Sequence, residues 1–228
     1  MSQTAKTVGI YSYGRKQSQR CPNKVLRPFG ETTLCDIMMA KLKEVGGENA
    51  FYAGHEDEFG EKAEAHKIKF VKRSENSVLI DAPITECQEF LRRVDYDYLL
   101  IVNTCLPFLK TTTIKEFLKD AIAHDYQPAV AVSKTSNYFF SGDGVPINFP
   151  ASIKTLNTKT VAPLLELANA LYFFNREYFF ENGRYWDWQS VRLIELKDKS
   201  ELLDVDTEND FTIAQKVWQA TRSMVQGE

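Results

Sequence analysis

Short apolar segments alternate with amphipathic ones up to about residue 135, and this alternation constrains the fold more than any other feature of the sequence. Several apolar segments are hydrophobic throughout, as strands buried on both faces of a parallel sheet are. They lie at residues 7–13, 50–54, 68–72, 98–103 and 128–134. The intervening segments carry apolar residues at three- and four-residue steps, which predicts helices at 33–46, 56–67, 84–94 and 111–125.

Repeated strand–helix units predict an α/β protein, a three-layer α/β/α sandwich around a mostly parallel, Rossmann-like sheet. The length of 228 residues suits a single domain, 1–228. After residue 135 the alternation breaks, and residues 136–165 are interpreted as an inserted arm and loop that begins with a hairpin around a glycine-rich tip. Two further strands, at 169–174 and 191–197, and a final helix from about 208 to 225 complete the prediction.

Composition limits the possible partners. The formal net charge is -3, whereas a protein that relies on neutralising nucleic-acid phosphates needs a basic face. We therefore expect no nucleic-acid partner, and any anion site must be local. No segment has the apolar length needed to span a bilayer, and the N-terminal segment lacks a signal-peptide core. We therefore expect a cytoplasmic protein with no membrane partner.

Residues that often bind transition metals are scattered along the chain. The four cysteines have no C-x-x-C spacing and the three histidines are isolated. The sequence therefore predicts neither a disulfide framework nor a zinc site. It also indicates no Ser-His-Asp or Cys-His catalytic set, and it identifies no general base.

Positive charge is concentrated directly after the first predicted strand. Arg15, Arg20 and Lys24 surround Pro22, and Gly14 permits a tight exit from the strand. Ligands of open parallel sheets bind beyond the carboxyl ends of the strands, where cations of the first loop can converge on a polyphosphate. The alternative is a solvated basic loop that only aids solubility. Spacing alone does not decide between the two.

The order of residues in this loop resembles a family signature. The pattern R-x-x-S-x-R-x-P-x-K-x-L is matched by Arg15, Ser18, Arg20, Pro22, Lys24 and Leu26. It is similar to the N-terminal signature of the sugar-acid cytidylyltransferases, which make CMP-activated sialic acid, Kdo and related acids. The resemblance implies that the loop, from Gly14 onward, wraps the triphosphate of CTP, with its arginines and its lysine against the phosphates.

A second match lies near the other end of the chain. Residues 202–215, LLDVDTENDFTIAQ, resemble the closing D-x-D-T-x-x-D-[FL]-x-x-A segment of the same family, which implies that Asp204 and Asp206 hold Mg²⁺. Two carboxylates two residues apart point the same way on an extended segment, and oxygen ligands suit this ion. In another interpretation Asp206 and Thr207 cap the final helix. The two roles are compatible.

The middle of the chain matches more loosely. Residues 99–109 are similar to a strand end N-P-T-S-P-F-L and keep Asn103, although the Pro-Thr-Ser core is replaced. Residues 71–81 are similar to a segment that places an arginine and an acidic residue near the nucleotide, and Arg73 and Asp81 are the matching positions. The resemblance implies that these three residues bind the nucleotide.

The predicted strand near residue 170 carries the implied acceptor residue. Residues 166–175 resemble the strand that bears N-G-A-[IV]-Y, with Asn169 retained and the glycine replaced by Ala170. Sialic acid enzymes carry an arginine two residues earlier for the sugar carboxylate, and here Leu167 stands in its place. Because a guanidinium fork is the usual anchor of a carboxylate, we expect sialic acid to be a poor acceptor.

The resemblance implies a cytidylyltransferase that moves CMP from CTP to a sugar acid, nonulosonate or Kdo-like, or to a similar acidic acceptor, with release of pyrophosphate. Arg15 and Lys24 would be catalytic together with Mg²⁺, by positioning and neutralising charge rather than by forming a covalent intermediate. In this family the arm crosses to a second subunit, so a homodimer is expected. The implied process is nucleotide-sugar biosynthesis for cell-surface polysaccharide.

Two alternatives from other functional classes stay open at this point. A metal-dependent glycosyltransferase also uses a D-x-D pair on a similar sandwich, but its pair usually lies in the middle of the chain. A non-catalytic nucleotide-binding relative is compatible with the altered segment 103–109. Release of pyrophosphate, or binding of CTP without turnover, would separate these possibilities.

Overall fold

A central sheet of seven strands organises the protein, whose computed structural model describes residues 6–79 and 82–226. The first strands and helices are β1 (Val8–Tyr13), β2 (Pro28–Phe29), β3 (Thr32–Thr33), α1 (Leu34–Gly46), β4 (Ala50–Gly54), α2 (Asp57–Ala65) and β5 (Lys69–Lys72). They are followed by α3 (Ile84–Cys87), β6 (Tyr98–Val102), α4 (Thr111–Ala123), β7 (Ala129–Thr135), β8 (Leu164–Asn175), α5 (Arg176–Asn182), β9 (Arg192–Glu195) and α6 (Glu208–Gln226).

The strand order in the sheet is β5-β4-β1-β6-β8-β7-β9. β5, β4, β1 and β6 are mutually parallel, and β7 is parallel to β9. β8 is antiparallel to both of its neighbours, β6 and β7. The prediction of a mostly parallel sheet is confirmed, and the antiparallel β8 brings the middle of the chain to the edge where β1 and β6 end.

The two faces of the sheet are covered by different layers, as the three-layer prediction requires. Successive strand residues point to opposite faces, so Ile10 and Tyr52 pack in a cluster with residues of α1, α2 and α4. Tyr11 and Phe51 pack in a second cluster on the other face, together with Phe179 of α5. Alternate residues of fully buried strands thus supply both cores.

The helix predicted at 84–94 is interrupted. It forms as the short α3 followed by a 3-10 segment, Glu89–Arg93, and Gln88 between them has φ -120° and ψ 30°. The Gln88 side chain turns into the core, where it accepts a hydrogen bond from Tyr11 and donates one to Tyr185. Burial of this amide, which the apolar periodicity does not reveal, breaks the helix.

The segment predicted as an inserted arm joins β7 to β8. It contains an isolated bridge between Phe140 and Pro146 around a turn in which Ser141 N donates to Val145 O at 2.9 Å, which agrees with the predicted hairpin. β8 begins at Leu164, five residues before the predicted start. A bulge interrupts the pairing of β8 with β7. The bulge disturbs the alternation of side chains along β8, so the sequence pattern does not reveal the first half of the strand.

No helix within residues 6–79 and 82–226 combines the length and apolarity of a membrane span.

Gly54, the last residue of β4, packs directly beneath a buried aromatic ring. A Cβ atom at this position would lie 2.5 Å from Cδ2 and 2.8 Å from Cβ of Phe59. Phe59 is fully buried, so the clash must displace the core. We predict that Gly54→Ala lowers the free energy of unfolding by about 1–3 kcal/mol, measured by urea denaturation.

Gly142→Ala is the matched control, since a Cβ there meets nothing within 4 Å. We expect it to change stability by less than about 0.5 kcal/mol. Equal stability of the two variants would contradict the packing described for β4 and α2.

Candidate active site

A cleft lies at the carboxyl ends of β1 and β6. It has a volume of about 730 Å³, within the usual range for small-molecule sites. The loop after β1 and the acidic residues Asp204 and Asp206 all line it. Asn169, from the bulge of β8, lines the same cleft.

Close packing at the end of β1 requires Gly14. A Cβ atom at this position would lie 2.6 Å from the Tyr52 hydroxyl oxygen and 3.0 Å from a ring carbon of Phe59. The Gly14 amide donates to Ala53 O at 3.0 Å. The basic loop therefore leaves the sheet at a fixed point.

The basic loop is bound to the C-terminal acidic segment. Lys24 Nζ donates to Val205 O at 2.6 Å and to Asp206 Oδ1 at 3.0 Å. Arg20 pairs with the other oxygen, Asp206 Oδ2, at 3.1 Å. Arg27 pairs with both carboxylate oxygens of Glu208, at 3.0 and 2.9 Å. Residues about 180 positions apart in sequence thus form one wall of the cleft.

Asp204 differs from Asp206 in its charge pairing: within residues 6–79 and 82–226 no cationic side chain forms an ion pair with it. Its Oδ2 is 3.4 Å from Asn103 Nδ2, and its Oδ1 is buried with no hydrogen-bond partner among the described residues. Burial, and then the nearby Asp206 carboxylate, raise the pKa of Asp204 to about 6. A buried, unpartnered carboxylate oxygen is costly, so this atom is suited to bind a cation.

The two aspartates suit a magnesium ion whose remaining ligands come from the substrate and from water. Mg²⁺ is often held by one or two carboxylates while phosphates and water complete the octahedron. Within the part of the chain that the structure describes, no group of three or more Asp, Glu, His or Cys side chains is placed to hold a metal by itself. Asp204 and Asp206 would therefore need phosphate oxygens as further ligands.

Thr207, not Asp206, caps the final helix. Thr207 Oγ1 accepts from Asp210 N at 3.2 Å, and Asp210 Oδ2 accepts from Thr207 N at 2.8 Å. This reciprocal pair is a capping box. The interpretation of Asp206 as a helix cap is wrong, because its carboxylate is directed to Lys24 and Arg20 instead.

Arg73 is a buried residue in the wall of the cleft, and its guanidinium joins neighbouring backbone segments through hydrogen bonds. Its Nε donates to Ser77 Oγ at 3.2 Å, and one terminal nitrogen donates to Gly14 O at 3.1 Å. The other donates to Ser77 O and, at 2.9 Å, to Cys87 O. These bonds hold the segment after β5 against the end of β1. Binding of the nucleotide by Arg73 stays a prediction, and Asp81 lies outside the described residues.

The altered strand end after β6 is tied into the sheet. Thr104 Oγ1 lies 2.5 Å from Ser12 Oγ and donates to Tyr13 O at 3.2 Å. Ser12 Oγ also donates to Val102 O at 2.5 Å. These buried hydroxyls join the ends of β1 and β6. Burial raises the pKa of the neighbouring Cys105 thiol to about 11, so this cysteine is a neutral thiol rather than a nucleophile.

Most residues proposed from sequence come together in the cleft. They are Gly14, Arg15, Ser18, Arg20, Lys24, Arg73, Asn103, Asn169, Asp204 and Asp206. The cleft is also lined by Tyr13, Tyr172, Tyr185, Leu79 and Ile84, none of which was assigned to the site from sequence. Tyr172 and Tyr185 belong to the aromatic segment 171–188, whose residue types are typical of a core or an interface as well as of a sugar-stacking surface. Leu167, on β8, does not line the cleft.

The sequence matches the family model described as cytidylyltransferase over residues 14–197, which is most of the chain. The chain belongs to the cytidylyltransferase family. It is a CTP-dependent nucleotidyltransferase, and this membership decides against the glycosyltransferase alternative. No individually curated protein matches the chain at a significant level.

Solved structures share the fold of this cytidylyltransferase at low sequence identity. A CMP:2-keto-3-deoxy-manno-octonic acid synthetase complexed with CTP is 13% identical, with a TM-score of 0.72 over 95% of this chain and 100% of the other. A 4-diphosphocytidyl-2C-methyl-D-erythritol synthase from Anaerococcus prevotii is 14% identical, with a TM-score of 0.64 over 94% and 96%. A cytidylyltransferase from Leptospira borgpetersenii is 15% identical, with a TM-score of 0.60 over 98% of each chain.

Substitution of Lys24 tests whether the basic loop of this cytidylyltransferase takes part in catalysis. The Lys24 ammonium lies beside Asp206 in the cleft, where it can neutralise the charge that develops on departing pyrophosphate. We predict that Lys24→Ala lowers CTP turnover by about 100-fold or more, since loss of one such group is worth about 3 kcal/mol. The measurement is pyrophosphate release at saturating CTP, with circular dichroism as a check on folding.

Lys16→Ala is the matched control from the same loop. Lys16 pairs with Glu58 at 2.7 Å and does not line the cleft, so we expect near-parental turnover. A folded Lys24→Ala enzyme as active as Lys16→Ala would exclude this loop from catalysis.

Proposed function

We propose that this cytidylyltransferase transfers CMP from CTP to a hydroxyl group of a sugar acid, nonulosonate or Kdo-like, or of a similar acidic acceptor, and releases pyrophosphate. The observation that carries the proposal is the meeting of the basic loop with the Asp204–Asp206 pair in one cleft. The fold shared with a CMP:2-keto-3-deoxy-manno-octonic acid synthetase supports the choice of acceptor class. The acceptor itself is the part of the proposal that needs direct measurement.

The reaction is a displacement at the α-phosphorus of CTP. The oxygen of the acceptor hydroxyl bonds to the α-phosphorus and its proton passes to solvent water, while the bond from the α-phosphorus to the bridging oxygen breaks in line and that oxygen leaves with pyrophosphate. Negative charge gathers on the departing pyrophosphate, and Arg15, Arg20 and Lys24 are the cations that line the cleft there. Catalysis then rests on positioning and charge neutralisation.

Asp204 and Asp206 would hold Mg²⁺ in this proposal. The ion, when bound, neutralises phosphate charge that the two carboxylates would otherwise repel. The Asp206 carboxylate is 40% exposed and the Arg20 side chain 67% exposed, and exposed ion pairs contribute only about 0–1 kcal/mol. Arg20 can therefore leave Asp206 for a phosphate at little cost.

The arm between β7 and β8 is proposed as the contact with a second subunit of a homodimer. Phe140, Val145, Ile147 and Leu156 are each more than half exposed on this segment. Such a concentration of exposed apolar side chains is typical of an interface rather than of a solvated loop. Sedimentation velocity distinguishes the dimer from a monomer, and a monomeric parent would contradict this part of the proposal.

A cytoplasmic role in polysaccharide precursor synthesis is a further part of the proposal.

A pyrophosphate-release screen tests the proposed reaction. Four nucleoside triphosphates are crossed with Kdo, sialic, legionaminic and pseudaminic acids and with non-sugar phosphates and phosphonates. We predict release with CTP and one of the sugar acids. We expect little release with sialic acid, because Leu167 stands where sialic acid enzymes carry an arginine, and no guanidinium extends from this position, which is outside the cleft lining. Binding of CTP without release across the whole panel would favour a non-catalytic relative and contradict the proposal.

Asp204→Asn separates the metal role from a structural one within the same screen. We predict loss of Mg²⁺-dependent turnover without loss of thermal stability, because a neutral amide replaces a desolvated carboxylate. The control is Asp198→Asn, which removes a surface partner of Lys110 outside the cleft and should keep turnover. A fully active Asp204→Asn enzyme with an unchanged magnesium response would place the ion elsewhere.

A further inference from the structure

A bulge in β8 places one asparagine in an unusual backbone conformation at the cleft. Tyr172 and Leu167 of β8 pair with Val130 and Val132 of β7, so the intervening part of β8 contains extra residues. Asn169, within this bulge, has φ 49°, in the left-handed region that asparagine tolerates better than most residues. The conformation moves Asn169 out of the regular ladder and into the lining of the cleft.

Two hydrogen bonds fix Asn169 in place. Its backbone oxygen accepts from Asn103 Nδ2 at 2.8 Å, and its side-chain Oδ1 accepts from the Tyr172 hydroxyl at 2.8 Å. Asn103 Nδ2 is also 3.4 Å from Asp204 Oδ2. Asn169 is therefore held through its side chain by Tyr172 and through its backbone by Asn103, which also lies beside Asp204.

The bond from Tyr172 fixes the orientation of the carboxamide. A carboxamide has an accepting oxygen and a donating NH₂ group, and the oxygen of Asn169 is held by the Tyr172 hydroxyl. No group within the described residues accepts a hydrogen bond from Nδ2. The cleft is thus lined by an NH₂ group that can donate to an oxygen of a ligand.

The residues around the Asn169 NH₂ group indicate which ligand group it would bind. Arg73, which also lines the cleft, uses each of its nitrogens on oxygens of Gly14, Ser77 or Cys87. The nearby lining from Tyr172 and Tyr185 is uncharged. A ligand oxygen at Asn169 would therefore meet the Nδ2 donor rather than the guanidinium of Arg73.

We infer that Tyr172 is a positioning residue that orients the Asn169 carboxamide, so that Nδ2 donates to an acceptor oxygen of the substrate that receives CMP. The ligand group is a hydroxyl or carboxylate oxygen with a lone pair directed at Nδ2. This inference rests on the proposed function, because that proposal gives this part of the cleft to the acceptor. Tyr172 acts through Asn169 and has no contact of its own with the reacting atoms.

Tyr172→Phe is a conservative test, because the ring can keep its stacking against Trp186, with centroids 5.7 Å apart, while the hydroxyl is lost. With Kdo as the probe acceptor, we expect KM for Kdo to rise about fivefold, the value of one neutral hydrogen bond of about 1 kcal/mol. KM for CTP and kcat should stay within about twofold of the parent. Tyr178→Phe, a tyrosine of α5 outside the cleft lining, should leave all three constants unchanged.

Asn169→Ser shows whether Tyr172 acts through the carboxamide. In that background Tyr172→Phe should add no further rise in KM, since the group that it orients is gone. An equal further rise would mean that Tyr172 contacts the substrate directly and would overturn the inference. An unchanged KM for Kdo in Tyr172→Phe, with an active parent, would overturn it as well.

A second measurement does not depend on turnover. Selective ¹⁵N labelling of asparagine gives the side-chain NH₂ signals of Asn169, assigned by their loss in Asn169→Ser. We expect Tyr172→Phe to move these signals more than any other asparagine side-chain signal, and Tyr178→Phe to leave them in place. Unmoved signals in Tyr172→Phe would refute the positioning role. Absence of turnover by the parent with every acid tested would contradict the proposed function, while the NMR result still decides the role of Tyr172.

Discussion

The contact between the basic loop after β1 and the acidic segment before α6 is the interaction on which the site depends. Lys24 bridges to Val205 O and Asp206, and Arg27 clamps Glu208 while its guanidinium lies 3.8 Å from the centre of the Phe211 ring. Without this contact, the carboxyl ends of β1 and β6 would open onto solvent on one side. The sheet supplies the floor, but the two distant chain segments create the enclosed cleft.

This contact also brings together the charged side chains that a triphosphate and its magnesium ion would bind. Arg20 and Lys24 neutralise Asp206, while the buried Oδ1 atom of Asp204 has no hydrogen-bond partner among the described residues. The account holds that a triphosphate with its magnesium ion exchanges these partners. The cations would turn to phosphate oxygens, and the two carboxylates would hold the ion. Both sets of charges are then paired in the ligand-bound state, so neither charge is left desolvated and unpaired.

Most strands and helices could be predicted from periodicity, because strands such as β4 and β6 are apolar on both faces and α1 and α4 are amphipathic. The exceptions arise where a buried polar group or a bulge overrides the local pattern. Gln88 interrupts a helix through hydrogen bonds to two tyrosines, and the bulge around Asn169 conceals the first half of β8. Such contacts are made across the fold and leave no periodic trace.

The candidate site, like the fold, could be predicted from sequence only in part. The residues of the basic loop and Asp204 and Asp206 could be selected because both motifs are local in sequence, although only the fold shows that they touch. The bonds of Arg73 to backbone oxygens, and the capping of α6 by Thr207 rather than Asp206, depend on side-chain directions that spacing does not fix. The tyrosines of the cleft were indistinguishable from core aromatics, since cleft and core select the same residue types.

A crystal structure of the protein with CTP and Mn²⁺, with the metal located by anomalous scattering, tests the exchange of partners most directly. The account predicts a metal within coordination distance of carboxylate oxygens of both Asp204 and Asp206, with Lys24 Nζ on a phosphate oxygen and no longer on Asp206. A metal bound away from these carboxylates, with the Lys24–Asp206 pair intact beside bound CTP, would contradict it.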